Sequence, residues 1–365
     1  MKRLNFIGVC VFVIGTMVCC TSSDEYYKVD KKIIVDIPNA ADTINGSLVA
    51  QFDNTHHLVG MESIDSFVVV ISEKSDSVIN ILNFENGALV SSFGSVGKAD
   101  NDMITPLREC QLEKKDDGTL IMRFDDFCRH RIVSYDLSAS MEKNQLVYVG
   151  DKEYQIFNQS EQFNYFDYIG DEYVAFQGIA LDDNLTPFCV KSSDIENKCE
   201  SYPKMIEGGE SQKTFIYNIM AKIKPDKSKL LLAHGNIGLF TIVDLDSWST
   251  LGIQERDSYD FEYLSEIANA DSKQFFEKIR AYYTFLNVTD DYIILSRDGN
   301  HSMHEFDRMD TYQPMICFFD WTGNLIYSFV ANEQFGYFTF NANNKCLYGI
   351  GKGNRIYKYD LSKVF

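Results

Sequence analysis

The sequence predicts an all-β chain: a six-bladed β-propeller of four-stranded blades, closed by an N-terminal strand, with a short helical insertion between blades four and five. Three observations carry this. Short apolar runs recur as FVVVIS from Phe67, TLIMRF from Thr119, YVAFQG from Tyr173, LLLAHG from Leu230, YIILSR from Tyr292 and CLYGIG from Cys346. Between their second residues the steps are 52, 54, 57, 62 and 54 residues, the repeat length of a blade. Alternating β-branched and aromatic residues flank each run, and Glu85-Asn86-Gly87, Asp116-Asp117-Gly118 and Thr322-Gly323-Asn324 supply turn chemistry.

Taken in order, residues 1–19 read as a signal peptide, 20–30 as a tether and 31–365 as the propeller. Lys2 and Arg3 precede an apolar run of thirteen residues, Phe6 to Val18. That is short of the roughly 20 residues a membrane-spanning helix needs. The run ends in Cys19-Cys20-Thr21-Ser22-Ser23-Asp24-Glu25, which resembles the lipobox of bacterial lipoproteins. Cys20 is the expected lipidated residue, Cys19 the alternative, and an unlipidated secretory signal the plainer reading. The resemblance implies a lipid anchor in the outer membrane, on the periplasmic face or the cell surface.

Blade one runs from His57 to Gly94 and blade two from Arg108 to Gly150. The third begins at Asn164, the fourth at Phe215 and the fifth at Tyr282. The last unit holds only GYFTFN, CLYGIG and RIYKYDL, so an edge is left open. Residues Lys31 to Pro38, KKIIVDIP, are expected to close it by pairing with Arg355 to Leu361. From Asp260 to Tyr283, Phe261, Leu264, Ile267, Phe275, Phe276 and Ile279 recur at helical spacing, predicting one or two helices on a rim.

After blade one the chain reads Ser92-Phe93-Gly94-Ser95-Val96-Gly97-Lys98. This F-G-x-x-G stretch, the cysteine after the apolar run and the blade rhythm resemble the TolB-like six-bladed propeller lipoproteins of Bacteroidetes. Ala99-Asp100-Asn101-Asp102 stands where that group usually has proline and glutamate. The resemblance implies an envelope protein and brings no established activity with it.

A net charge of −19 argues against nucleic-acid binding, which wants a basic footprint. The glycine stretch is no phosphate loop, because Ser92 and Ala99 break the required pattern, and no G-x-S-x-G elbow occurs. No cofactor and no metal are implied. His301-Ser302-Met303-His304-Glu305 gathers metal-type ligands in one loop, though a solvated loop explains them as well. Arg129-His130-Arg131 is a basic island able to grip an anion or to answer Asp125 and Asp126. Cys189 and Cys199 flank a turn near Asp194 and are placed to form a disulfide.

Loop length adds a positional argument. The blade-to-blade crossings and the second-to-third-strand loops open on one face, and they hold nearly all the length. The expected function is therefore a non-catalytic binding or scaffold module for a glycan, peptide or protein partner. Its expected ligand-binding residues are Arg129, His130, His301, His304 and Arg308. The alternative is a hydrolase or lyase with a metal or acid–base site in the central channel, where Arg108, Glu109, Glu113, Asp167, Asn218 and His57 are the candidates.

Overall fold

The computed structural model describes residues 27–365 apart from 39–40, 54–55, 74–75, 98–109, 127–128, 130, 154–162, 170–171, 178–187, 192–193, 200–202, 204–205 and 307–312. Between 163 and 199 it describes backbone alone. Three short strands open the chain: β1 (Lys31–Val35), β2 (Asp42–Ile44) and β3 (Ser47–Gln51). The first blade follows as β4 (Leu58–Ile64), β5 (Phe67–Ser72), β6 (Ile79–Asn83) and β7 (Leu89–Phe93). The next is β8 (Gln111–Lys114), β9 (Leu120–Asp126), β10 (Arg131–Asp136), helix α1 (Leu137–Lys143) and β11 (Tyr148–Glu153). A sheet of β12 (Phe163–Ile169), β13 (Glu172–Gln177), β14 (Phe188–Lys191) and β15 (Asp194–Cys199) comes after it.

Helix α2 (Glu210–Ile216) then leads into β16 (Ile219–Ile223), β17 (Lys229–His234), β18 (Leu239–Asp244) and β19 (Thr250–Glu255). Helices α3 (Phe261–Ala268) and α4 (Ser272–Lys278) cross to β20 (Tyr283–Val288) and β21 (Tyr292–Arg297). Helix α5 (Met303–Phe306), β22 (Met315–Asp320) and β23 (Leu325–Ala331) complete that blade. The chain finishes with β24 (Phe335–Asn341), β25 (Cys346–Gly351) and β26 (Arg355–Asp360). Within each sheet consecutive strands pair antiparallel, and the innermost strands β4, β24, β20 and β16 lie side by side, with β8 beside β4 and β12 beside β16.

The expectation of six equal four-stranded blades is corrected. The described core is that of five blades, not six: four apolar clusters fill the joints between β4–β7 and β8–β11, β4–β7 and β24–β26, β20–β23 and β24–β26, and β16–β19 and β20–β23. The sheet of β12–β15 is known by its backbone pairing. Nor are the blades uniformly four-stranded, because two sheets hold five strands.

The closing strand is also corrected. It is β3, not residues 31–38, that pairs antiparallel with β26, Ser47 opposite Lys358 and Gln51 opposite Arg355. The segment expected to do this instead forms β1 and lies parallel against β19, with Lys31 opposite Leu251 and Val35 opposite Glu255. Strand β2 lies parallel against β23. The N-terminal arm thus runs along the rim of three successive blades. Tyr27 pins its start: the ring is buried, and its hydroxyl meets Thr241 Oγ1 at 2.5 Å and donates to the Phe240 carbonyl at 3.1 Å. Gly252 makes room, since a Cβ there would sit 2.6 Å from the Tyr27 ring.

The helical crossing forms as expected, in two pieces. Asp260 and Asp271 cap α3 and α4 by accepting from the Tyr263 and Gln274 amides at 2.7 and 2.9 Å. Leu264, Ile267, Phe275 and Ile279 are buried on the propeller. No helix among the described residues is long and apolar enough to cross a membrane.

Candidate functional site

The long crossing after β19 and the loop after β21 meet on one face of the disc. Arg280 bridges Ser302 through the backbone, and the Met303 amide donates to the Ile279 carbonyl at 2.8 Å. Beneath this meeting point lies a buried ion pair. Arg297, at the end of β21, donates from Nε and Nη2 to Glu255 Oε2, at the end of β19, at 2.8 and 2.6 Å. Both side chains are 1% exposed. Burial pushes the Glu255 carboxyl up, and Arg297 pulls it back. Gly299 has φ +69°, and a Cβ on it would press against the Arg297 guanidinium at 2.7 Å, so the loop must turn on glycine there.

Above the pair sits a second couple. The Asp298 carboxylate is buried and lies 2.7 Å from His301 Nδ1, while it also accepts the His301 amide at 3.3 Å. Burial raises the Asp298 carboxyl against the opposing pull of His301. His301 is 39% exposed, so the carboxylate fixes one ring nitrogen while the other edge faces outward. Arg280 stands beside them, its guanidinium 5.6 Å from the centre of the Tyr259 ring and one N–H reaching the Gly299 carbonyl at 3.4 Å. His304 is half-buried on α5, a helix started by Ser302 and Glu305 in a reciprocal cap.

The residues expected to bind a ligand do not form one cluster. His301 and His304 belong to the β20–β23 blade, whereas Arg129 follows β9 in a non-adjacent blade. There Arg129 donates to Asp126 at 3.2 Å, and Arg131 holds the same carboxylate at 3.3 Å together with Asp151. His130 and Arg308 lie outside the described residues, as does Cys20. Asp298, Arg280 and the buried pair were missed in the sequence, although Arg297-Asp298-Gly299 is a charged turn directly after an apolar strand.

The innermost strands carry a separate polar network. Lys222 on β16 reaches Glu62 on β4, and Asn287 on β20 donates to the other Glu62 oxygen at 3.1 Å. Ser63 and Thr339 share a hydrogen bond of 3.0 Å between β4 and β24. Glu113 on β8 is gripped by Arg123 and Lys227, each at 2.5 Å. Of these, the Glu62–Lys222 and Glu113–Lys227 pairs join blades that are not neighbours, across the middle of the disc. His57 does not reach it; the ring pairs with Glu73 at 3.0 Å and is 56% exposed. Arg108 and Glu109 lie outside the described residues, the Asp167 side chain likewise, and Asn218 is exposed before β16. Among the described residues, no three His, Cys, Asp or Glu side chains converge on one point.

No protein-family model matches the chain, and no curated protein matches it. Solved structures do. A crystal structure of a Bacteroides fragilis protein described as exported is similar at 10% identity, covering 87% of this chain and 98% of that one, with a TM-score of 0.50. The β-propeller domain of Cps50 (Swd1) from Myceliophteria thermophila is also 10% identical, over 86% of this chain and 99% of that domain, with a TM-score of 0.41. At such identity the first likeness shows the fold alone. Pairing, core and likeness agree on a β-propeller.

Proposed function

We propose that this protein is exported, held to the outer membrane by a lipid on Cys20, and binds a glycan, peptide or protein partner without transforming it. The observation that carries the binding role is the meeting of the two long loops. Half-exposed His301, backed by Asp298, stands beside Arg280 and Tyr259 on a floor made rigid by Arg297 and Glu255. Polar groups held this way recognise a ligand with little ordering cost. Export is supported by the fold neighbour described as exported and by the apolar leader. The lipoprotein and TolB-like readings rest on Cys20 and on the Phe93-Gly94 stretch.

The rival reading, a hydrolase or lyase worked from the channel, would draw on Glu62 and Glu113. Both carboxylates are already engaged by cations within the protein rather than left open to a substrate.

The test is a pair of arrays, one of glycans and one of peptides, probed with the wild type and with His301→Ala/Arg280→Ala. Loss of a wild-type signal with little change in Tm supports the site. A signal that persists undiminished places binding elsewhere, and turnover of an array ligand overturns the non-catalytic reading. Cell fractionation tests the anchor: Cys20→Ala should release the protein, and retention in both Cys20→Ala and Cys19→Ala would end the lipoprotein reading.

A further inference from the structure

Cys317 and Cys346 are buried free thiols on separate segments. By contrast, β14 and β15 bring Cys189 and Cys199 to one register position. We propose that these two cysteines are oxidised to a disulfide that pins the outer strand pair of the β12–β15 sheet, a site independent of the binding reading.

Geometry carries the first part. Directly opposed residues of an antiparallel pair share a side of the sheet and have Cα atoms about 4.5–5.5 Å apart. That lies inside the range of about 4.4–6.8 Å that a disulfide spans. The ladder itself carries the second part. Lys191 stands opposite Asp194 while Cys189 stands opposite Cys199, so four residues of β15 face a single residue of β14. The irregularity interrupts the ladder locally and leaves few paired positions to hold β15. Strand β15 is also the sheet's outer edge, and among the described residues no N-terminal strand lies over it as β1 lies over β19 and β2 over β23. Where the arm does not reach, a covalent tie would do the same work.

The oxidant is a disulfide, either a protein thiol–disulfide oxidoreductase or a small molecule such as oxidised glutathione. One cysteine thiolate attacks a sulfur of that disulfide and expels one thiolate, giving a mixed disulfide. The second cysteine thiolate then displaces the other thiolate. Two protein thiols are oxidised, one external disulfide is reduced to two thiols, and the protein ends two hydrogens lighter.

The full chain, purified natively and equilibrated with reduced and oxidised glutathione, is alkylated, digested without reductant and mapped by mass spectrometry. The expected product is one cross-linked species holding Cys189 and Cys199. Recovery of both as alkylated thiols from the oxidising end of the series would overturn the proposal, and so would a link from either to Cys128. Dithiothreitol should lower the wild-type Tm and leave that of Cys189→Ser/Cys199→Ser unchanged. Equal insensitivity of the two proteins would refute the pinning role.

Discussion

Strands β19 and β11 do the same job as outer strands of their blades, yet they live in different surroundings. In β19, every residue of TLGIQE is buried or half-buried, because β1 covers its far edge. In β11, YVGDKE is exposed or half-exposed throughout, with Tyr148 at 40% and Val149 at 51%. Both strands form, so propensity is not what separates them. What differs is whether a second piece of chain adds to the open edge and removes it from water. An edge strand acquires a core-like interior only when something is laid against it.

The largest expected difference comes from deleting one aromatic on each side. Tyr27→Ala should cost about 3–5 kcal/mol, because it empties a buried ring site and leaves Thr241 without its partner. Tyr148→Ala loses one edge-on contact with the Tyr135 ring and should cost about 1 kcal/mol or less. Urea unfolding of the two variants measures both, and equal losses would erase the distinction between covered and bare edges.

A second contrast uses the ion pairs at the two blades. Glu255→Ala strands a buried guanidinium and should cost about 3–5 kcal/mol, with much of it recovered in Glu255→Met/Arg297→Met. Arg131, which serves Asp126 and Asp151 near the surface, should cost about 1 kcal/mol or less when changed to Ala. Thermal melts of all three variants read the order directly.

Acid should expose a third. His234, at the end of β17, is fully buried, and burial pushes its pKa from 6.5 down to about 3. The folded state therefore refuses a proton that the unfolded chain accepts below 6.5. Stability should be unaffected by this group above that pH and fall by about 1.4 kcal/mol for each unit below it, until the native ring itself titrates. Chemical unfolding at pH 7, 6 and 5 should show that slope in the wild type and a flatter one in His234→Leu. The smallest effect belongs to Val149→Thr, which should shift stability by no more than about 0.5 kcal/mol; a larger loss in urea unfolding would mean that this edge is covered in solution.

Much of the strand order was legible because each second strand is a continuous apolar run, and such runs have one stable home between neighbouring blades. Which N-terminal strand closes the last unit was not. KKIIV and SLVAQ are both short strand formers, and the choice between them is made by partners hundreds of residues away. Helix α1 was hidden by its apolar neighbours, though Asp136 caps it through the Ala139 amide and Asn144 ends it at φ 51°. At the candidate site, His301 stood out as an imidazole in a long loop. Its joining to Asp298 and Arg280 depends on two loops from different strands meeting, which no local pattern encodes. His301 and Arg129 fall on separate blades for the same reason: residue type was visible, and blade position was not.

The arm also sets a clock. Tyr27 is among the first described residues to leave the ribosome, yet its partner Thr241 lies 214 residues further on. Ser47 must wait still longer, for Lys358, 311 residues away. Contacts so distant in sequence form late and slowly. The start of the chain therefore waits as an unpaired strand former while the blades condense. A chain released before β26 has been synthesised therefore leaves β3 without its partner strand.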